Sequence, residues 1–501
     1  MGSRRSFVLK FAAICLTICV LAVSSLSVMA VVTPLADARA NSDTITINAK
    51  YDSAAHTLDA TQTIKYKNRS GDALTSIKFH IYANAYRNGA KFTPVTAAEI
   101  SKAYPSGIDY GNIYIEKIRV GQTEVPVFIE GDDQNVLSVP LLVPLAPGKA
   151  AEIHIEYVVQ LANIAHRLGW TETVVNLGNF YPVPCIYDGG FWQTYPYSFN
   201  GDPFYNALHN FDVTLQCDSD FIVASSGTPE RQAPGVYNFR SSAIRDFAMV
   251  LSKKFKTLTR NVGKVALGYF YLDDEDPKQS LNCAADTMRT FSKVFTPYPY
   301  KQLTVVQTDF LHGGMEYGEL VYISSDILRG ESSRAFHNQV ITHEIAHQWW
   351  YGSVGNNQAR TAWIDEGLAE YSTLLFYDLN PQYATLPRTE MISNARDNFA
   401  AYAKLVKGIG GTLNQEMNRD LNSFRSSHEY VFMTYVRGML LFCDLEMLLG
   451  RKRVAGALQT FAREAQFTFA TQEKLITSME RSTNVKLRTF FESFLCGAES
   501  F

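Results

Sequence analysis

Val340-Ile341-Thr342-His343-Glu344-Ile345-Ala346-His347-Gln348-Trp349-Trp350 decides the reading of this chain. It falls in a helical pattern predicted to run from Arg334 to Tyr351. Two histidines four residues apart are separated by a turn of roughly 400°, so both project from one face. Imidazoles so placed can grip one metal ion, and a catalytic zinc takes three protein ligands with one position left to water. A third ligand is therefore required. Trp363-Ile364-Asp365-Glu366-Gly367 supplies it: eighteen residues separate His347 from Glu366, and a loop through Gly352, Gly355 and Asn356 can fold this second helical segment back. Glu344, one residue after a ligand, is placed to take a proton from water and hand it to a departing amine.

Two further stretches join this one in a resemblance. Gly313-Gly314-Met315-Glu316 and Thr434-Tyr435-Val436-Arg437-Gly438, together with the histidine motif and its distant glutamate, cover most of residues 300 to 440. This portion resembles the gluzincin zinc aminopeptidases of the aminopeptidase N family. The resemblance implies that His343, His347 and Glu366 bind one zinc ion and that Glu344 is the general base acting on zinc-bound water. It implies that Tyr435 donates a hydrogen bond to the tetrahedral oxyanion, and that Gly313, Gly314, Met315 and Glu316 bind substrate, with Glu316 holding the free α-ammonium of a peptide. The glycines would let substrate backbone approach closely. Tyr317 stands where that family usually has Asn, and no upstream acidic or amide partner for the ammonium is identified. Glu370, one helical turn beyond Glu366, is either a carboxylate that orients a ligand or a surface glutamate. Tyr430 is read as a packing residue, and His312, His337 and His428 as structural.

Outward from the motif, the two halves of the chain differ in texture. From Asp43 to about Leu272 short β-rich runs alternate with Gly, Pro, Asn and Asp punctuation, among them Thr44 to Tyr51, Thr61 to Tyr66, Ile153 to Val159 and Val265 to Tyr271. The acidic cluster Asp273-Asp274-Glu275-Asp276 reads as a solvated helix entrance. After one more strand, Leu303 to Phe310, helical patterns dominate: Trp363 to Tyr377, Thr389 to Leu405, Glu429 to Leu449 and Arg451 to Ala465. Alternation of the βαβ kind is not evident, so an α+β architecture is expected. Its expected parts are a signal peptide or anchor at 1–40, a saddle-like β-sheet domain at 41–258, and a thermolysin-like, mainly helical zinc-peptidase domain at 259–501.

Arg4, Arg5 and Lys10 precede an uncharged stretch from Phe11 to Ala36. That is the pattern of an export signal, cleaved near Ala36-Asp37-Ala38 or Ala38-Arg39-Ala40, or retained as a single-pass anchor. Positive charge on its N-terminal side places the rest outside the cytoplasm. The five cysteines beyond it, an odd number, fit neither a disulfide scaffold nor a cysteine zinc module. With 46 Lys+Arg against 49 Asp+Glu the net charge is −3, which gives no reason to expect nucleic acid as a partner. The expected partners are peptides with a free N-terminus, and the membrane where the leader is retained. Relatives often continue as a helical roof over the cleft, so a chain ending at Phe501 is expected to have an open one. The expected activity is removal of N-terminal residues from peptides; a peptide-binding ectodomain without turnover and an endopeptidase with the same zinc site are the alternatives.

Overall fold

The computed structural model describes residues 34–329 and 334–497. In the first half, strict alternation of side chains produces strands with one face buried. Asp43–Asp52 turns Ile45, Ile47, Ala49 and Tyr51 inward and Thr44, Asn48 and Lys50 outward. It lies at the middle of an eight-stranded sheet, antiparallel to Thr57–Lys67 and parallel to His209–Gln216. Two four-stranded sheets, one containing Leu74–His80 and the other Ala248–Ser252, and a two-stranded sheet of Ile186–Asp188 and Phe191–Gln193 complete the β domain.

Lys256–Val262 opens a separate five-stranded sheet that continues through Val265–Tyr271, Gln302–Thr308, Leu320–Ser324 and Gly314–Met315. We place the division between the two units before Lys256, because the whole strand pairs with Val265–Tyr271 and a boundary after residue 258 would cut it. Within this sheet the expectation of no βαβ alternation is corrected. Val265–Tyr271 and Gln302–Thr308 are parallel neighbours joined by the helix Pro277–Val294, since parallel strands need a crossover longer than a hairpin. The acidic entrance to that helix is also less solvated than expected. Asp276 caps the helix by accepting from the Gln279 amide, but Asp274 is buried and accepts from Arg334, Ser280 and Tyr269.

The helix Arg334–Ala346 packs on the sheet, Trp363–Leu379 packs on that helix, and Arg388–Gly408, Arg437–Leu449 and Arg451–Ala465 build outward from there. Two departures from the expected boundaries matter for the site. The first ligand helix ends at Ala346, and His347 to Tyr351 form a tight turn. The predicted helix from Glu429 to Leu449 is interrupted by a π-helical turn, Phe432–Val436, which contains Tyr435. Extra residues in such a turn re-aim side chains, and π-bulges are frequent at functional sites.

The expected leader lies, apart from its end, outside the described residues. Its candidate cleavage points fall within a short helix, Pro34–Asn41, that buries no residue. Among the described residues no helix is long and apolar enough to cross a membrane. Cys185, Cys283 and Cys443 are buried thiols, Cys217 is half-buried, Cys496 is exposed, and none of them is paired.

Candidate metal centre and cleft

His343 and His347 project from the end of one helix and Glu366 from the first turn of the helix Trp363–Leu379. Their donor atoms converge: His343 Nε2 and His347 Nε2 are 3.0 Å apart, and Glu366 Oε2 lies 3.2 Å from the first and 3.3 Å from the second. A tetrahedral zinc with ligand bonds of about 2.0–2.1 Å has ligand–ligand edges of about 3.3 Å, so the triangle has the size zinc requires. The outward nitrogens are occupied. His347 Nδ1 donates to the Trp350 carbonyl at 3.0 Å, and His343 Nδ1 lies 3.0 Å from Glu370 Oε1. Both arrangements leave Nε2 turned to the centre, and Glu370 stands within ion-pair distance of the outward nitrogen of His343. The donor set fits zinc.

The electrostatics are those of a site built for positive charge. Burial pushes the Glu366 carboxyl up, but the two imidazoles outweigh it and hold the group down at about 2. Burial likewise disfavours a charge on His347, yet Glu316 and Glu366 hold its imidazole up to about 10. Glu344, buried beside the triangle, is pushed up to about 8, first by burial and then by Glu316 and Glu366 against the pull of the histidines. Gly314 explains how Glu344 fits: a side chain there would occupy the space the carboxylate takes. Gly314 also lines the cleft, where the resemblance places it against substrate.

Tyr435 donates from its hydroxyl to Glu366 Oε1 at 2.6 Å, and its ring stacks over His343 with centroids 5.7 Å apart. This approach depends on a crossing of two glycines. Gly367 and Gly438 pack backbone to backbone, and a Cβ on Gly367 would lie 2.7 Å from the Gly438 Cα. Tyr430, expected only to pack, sets its ring 5.8 Å from Tyr435 and turns its buried hydroxyl to the cleft beside Gly201.

Glu316 is buried on the edge strand side of the cleft, and Gln358 Nε2 donates to it at 2.7 Å. Gln348, the residue after the second histidine, clamps the segment that carries it, donating to the Tyr317 carbonyl at 3.0 Å and accepting from the Glu319 amide at 2.9 Å. Met315 points into the core, where Arg167 Nε lies 3.2 Å from its sulfur. It supports the strand and does not line the cleft. Gly313 does line it, with Val340 at ordinary contact distance.

The β domain supplies what sequence reasoning missed. Asp202 lines the cleft, paired with Arg167 at 2.5 Å. Burial raises its carboxyl to about 7, against the pull of Arg167 and with Glu316 and Glu366 adding to the rise. The cleft, of about 400 Å³, is bounded by Asn200, Gly201 and Asp202 on one side and His343, Glu344 and Tyr435 on the other. Past Glu370, Val431 and Tyr435 it adjoins a groove of about 790 Å³ along the helix Arg388–Gly408. His312 lines the cleft as a neutral imidazole, lowered to about 4 by burial, and His337 is buried in the core.

Comparison with known proteins agrees with this geometry. Residues 279–494 match the Peptidase family M1 domain. The match is confined to this stretch, whose ligand spacing fits that of the gluzincins. The chain is 25% identical over 243 residues to Aminopeptidase M1-A of Oryza sativa subsp. japonica, covering 46% of this chain and 26% of the relative. It is 24% identical over 310 residues to Aminopeptidase N of Lactobacillus helveticus, covering 58% and 36%. It thus spans about a quarter to a third of the length of these relatives. The fold is that of an M1 zinc metallopeptidase from Deinococcus radiodurans, with a TM-score of 0.61 at 15% identity, over 92% of this chain and 94% of that one. That likeness of fold takes in the β domain as well as the stretch that matches the M1 domain.

Proposed function

We propose that this chain is a zinc aminopeptidase that removes N-terminal residues from peptides. His343, His347 and Glu366 hold the metal, which when bound supplies the Lewis acidity that polarises a scissile carbonyl and makes water a nucleophile near neutral pH. Glu344, buried beside the ligand triangle, accepts the proton of the attacking water and passes it to the leaving amine. Tyr435, at the boundary between Glu366 and the cleft, donates to the oxygen on which charge develops.

The observation that carries the exopeptidase reading is a distance. Glu316, Glu344 and His347 each place a donor atom within 4.8 Å of the others. In any amino acid the amine nitrogen and the carbonyl carbon are about 2.5 Å apart. An ammonium held by Glu316 therefore sets the first peptide bond, and no later one, against Glu344. Asp202 supplies a second carboxylate for that ammonium from the β domain. The remainder of the peptide leaves along the groove beyond Tyr435. The aminopeptidases to which the chain is similar support the same substrate class.

The test compares Glu316→Ala with the unaltered protein on aminoacyl amides, free and N-acetylated, alongside metal analysis. Free-amine substrates should lose about 3 kcal/mol or more in kcat/KM, the cost of stranding a buried ammonium, and the acetylated ones should not change. Equal losses on both would favour an endopeptidase. A zinc-loaded protein without turnover on either would leave only peptide binding.

A further inference from the structure

We propose that Arg245 and Asp246 of the β domain are positioning residues for the metal centre, holding the ligand His347 in orientation through Tyr351. The inference rests on the zinc-site reading above and adds residues from outside the M1 domain to it.

The argument begins at the turn after the ligand helix. His347 Nδ1 donates to the Trp350 carbonyl at 3.0 Å, so the direction of that carbonyl fixes both the ring's rotation and the tautomer it presents to the metal. The next residue is Tyr351, whose φ is +104°, a region that residues with side chains rarely enter. Such a conformation persists only where the surroundings over-determine it. Three bonds do so here. The Tyr351 amide donates to the Val354 carbonyl at 2.8 Å, the Tyr351 carbonyl accepts from Arg245 Nε at 2.7 Å, and the Tyr351 hydroxyl donates to Asp246.

The two β-domain residues are themselves fixed. Arg245 donates to the carbonyls of Asn206 at 2.9 Å and Thr468 at 2.8 Å, and its guanidinium lies 4.5 Å from the Phe469 ring. It occupies the space that Gly355 leaves by having no side chain. Asp246 accepts from the side-chain amides of Asn206 at 2.5 Å and Asn179 at 3.1 Å. Asn179 in turn accepts from the Tyr317 hydroxyl at 3.1 Å, one residue beyond Glu316. The same dyad therefore reaches both the turn that orients His347 and the segment that carries Glu316. Arg245, Asp246 and Tyr351 are each 1% exposed or less, so water cannot take over these bonds.

Domain adhesion alone would explain a buried Arg–Asp pair, and the experiment separates the two roles. Tyr351→Phe keeps the ring and removes the hydroxyl bond to Asp246. In the full chain we expect zinc to bind ~10–100-fold more weakly in competition with a chromophoric chelator, the usual effect of losing a group that orients a ligand. The visible absorption of the cobalt(II)-loaded protein should shift, and the melting temperature without added metal should stay within a few degrees. Asp246→Leu should weaken zinc binding likewise, with a further loss of stability because it also strands the amides of Asn206 and Asn179. Asp246→Asn, which keeps an acceptor for the tyrosine, should recover most of the zinc affinity. Unchanged zinc affinity and cobalt spectrum in Tyr351→Phe would overturn the proposal. An unaltered protein that takes up no zinc would instead overturn the reading of the site itself.

Discussion

Glu344 is the residue whose environment most restricts its role. Burial and two neighbouring carboxylates push its carboxyl up, while His343 and His347 pull it down, and a bound zinc ion would add to that pull. It stands beside the ligand triangle and not in it: the three atoms within 3.0–3.3 Å of one another belong to His343, His347 and Glu366. Glu344→Gln should accordingly keep its zinc, measured by metal analysis of the purified protein, and lose at least ~10² in turnover. Turnover close to that of the unaltered protein would remove Glu344 from the mechanism. Glu316 follows the edge strand and Asp202 comes from the β domain; on the proposed reading these two carboxylates would hold the substrate's ammonium.

At the scale of elements, the site depends on how closely two helical segments cross. Gly367 follows the ligand Glu366, Gly438 follows the Tyr435 turn, and their backbones touch. Gly367→Ala would place a methyl where the Gly438 backbone already sits, and should cost about 1–3 kcal/mol in stability by overpacking. Because the forced separation moves Tyr435 from Glu366, kcat should fall further than zinc content does; thermal melting with parallel metal analysis reads both. How far such features were legible depends on their range along the chain. The His343–His347 pair was readable because helical spacing puts both on one face, and Glu366 because a second helical segment eighteen residues on could fold back to supply the third ligand. Glu370 was readable as a face but not as a contact, since periodicity does not say what the face meets. The π turn at Phe432–Val436 was not legible, since its apolar residues continue a helical pattern on either side. Asp202 and Arg167 were hidden for another reason: they lie in the β domain, and only tertiary packing brings that loop to the cleft. The βαβ unit was missed because a single crossover gives no repeated alternation to detect.

For the molecule as a whole, the two domains are joined by polar groups buried between them, and this couples stability to pH. The Tyr300 hydroxyl donates to the Ala243 carbonyl at 2.9 Å, Tyr322 to Met249 at 3.2 Å, and the Thr308 hydroxyl to Asn176 Oδ1 at 2.6 Å. Glu319 of the M1 domain lies among these contacts, 3% exposed, accepting from the Ser241 hydroxyl of the β domain. Burial raises its carboxyl from 4.5 to about 8, although the bonds from Ser241 and the Gly227 backbone pull the other way. Between those values the unfolded chain has released the proton and the folded chain retains it. The folded state then binds more protons through this group, so the contribution of Glu319 to stability is full below about pH 4.5 and declines as pH rises toward about 8, by at most about 1.4 kcal/mol per pH unit. Glu319→Gln keeps an acceptor for Ser241 and removes the ionisation. Its melting temperature should therefore exceed that of the unaltered protein at pH 8, with the gap closing toward pH 5. Parallel melting curves across that range would mean that Glu319 ionises in the folded protein as it does in water, and that the interface does not exclude its charge.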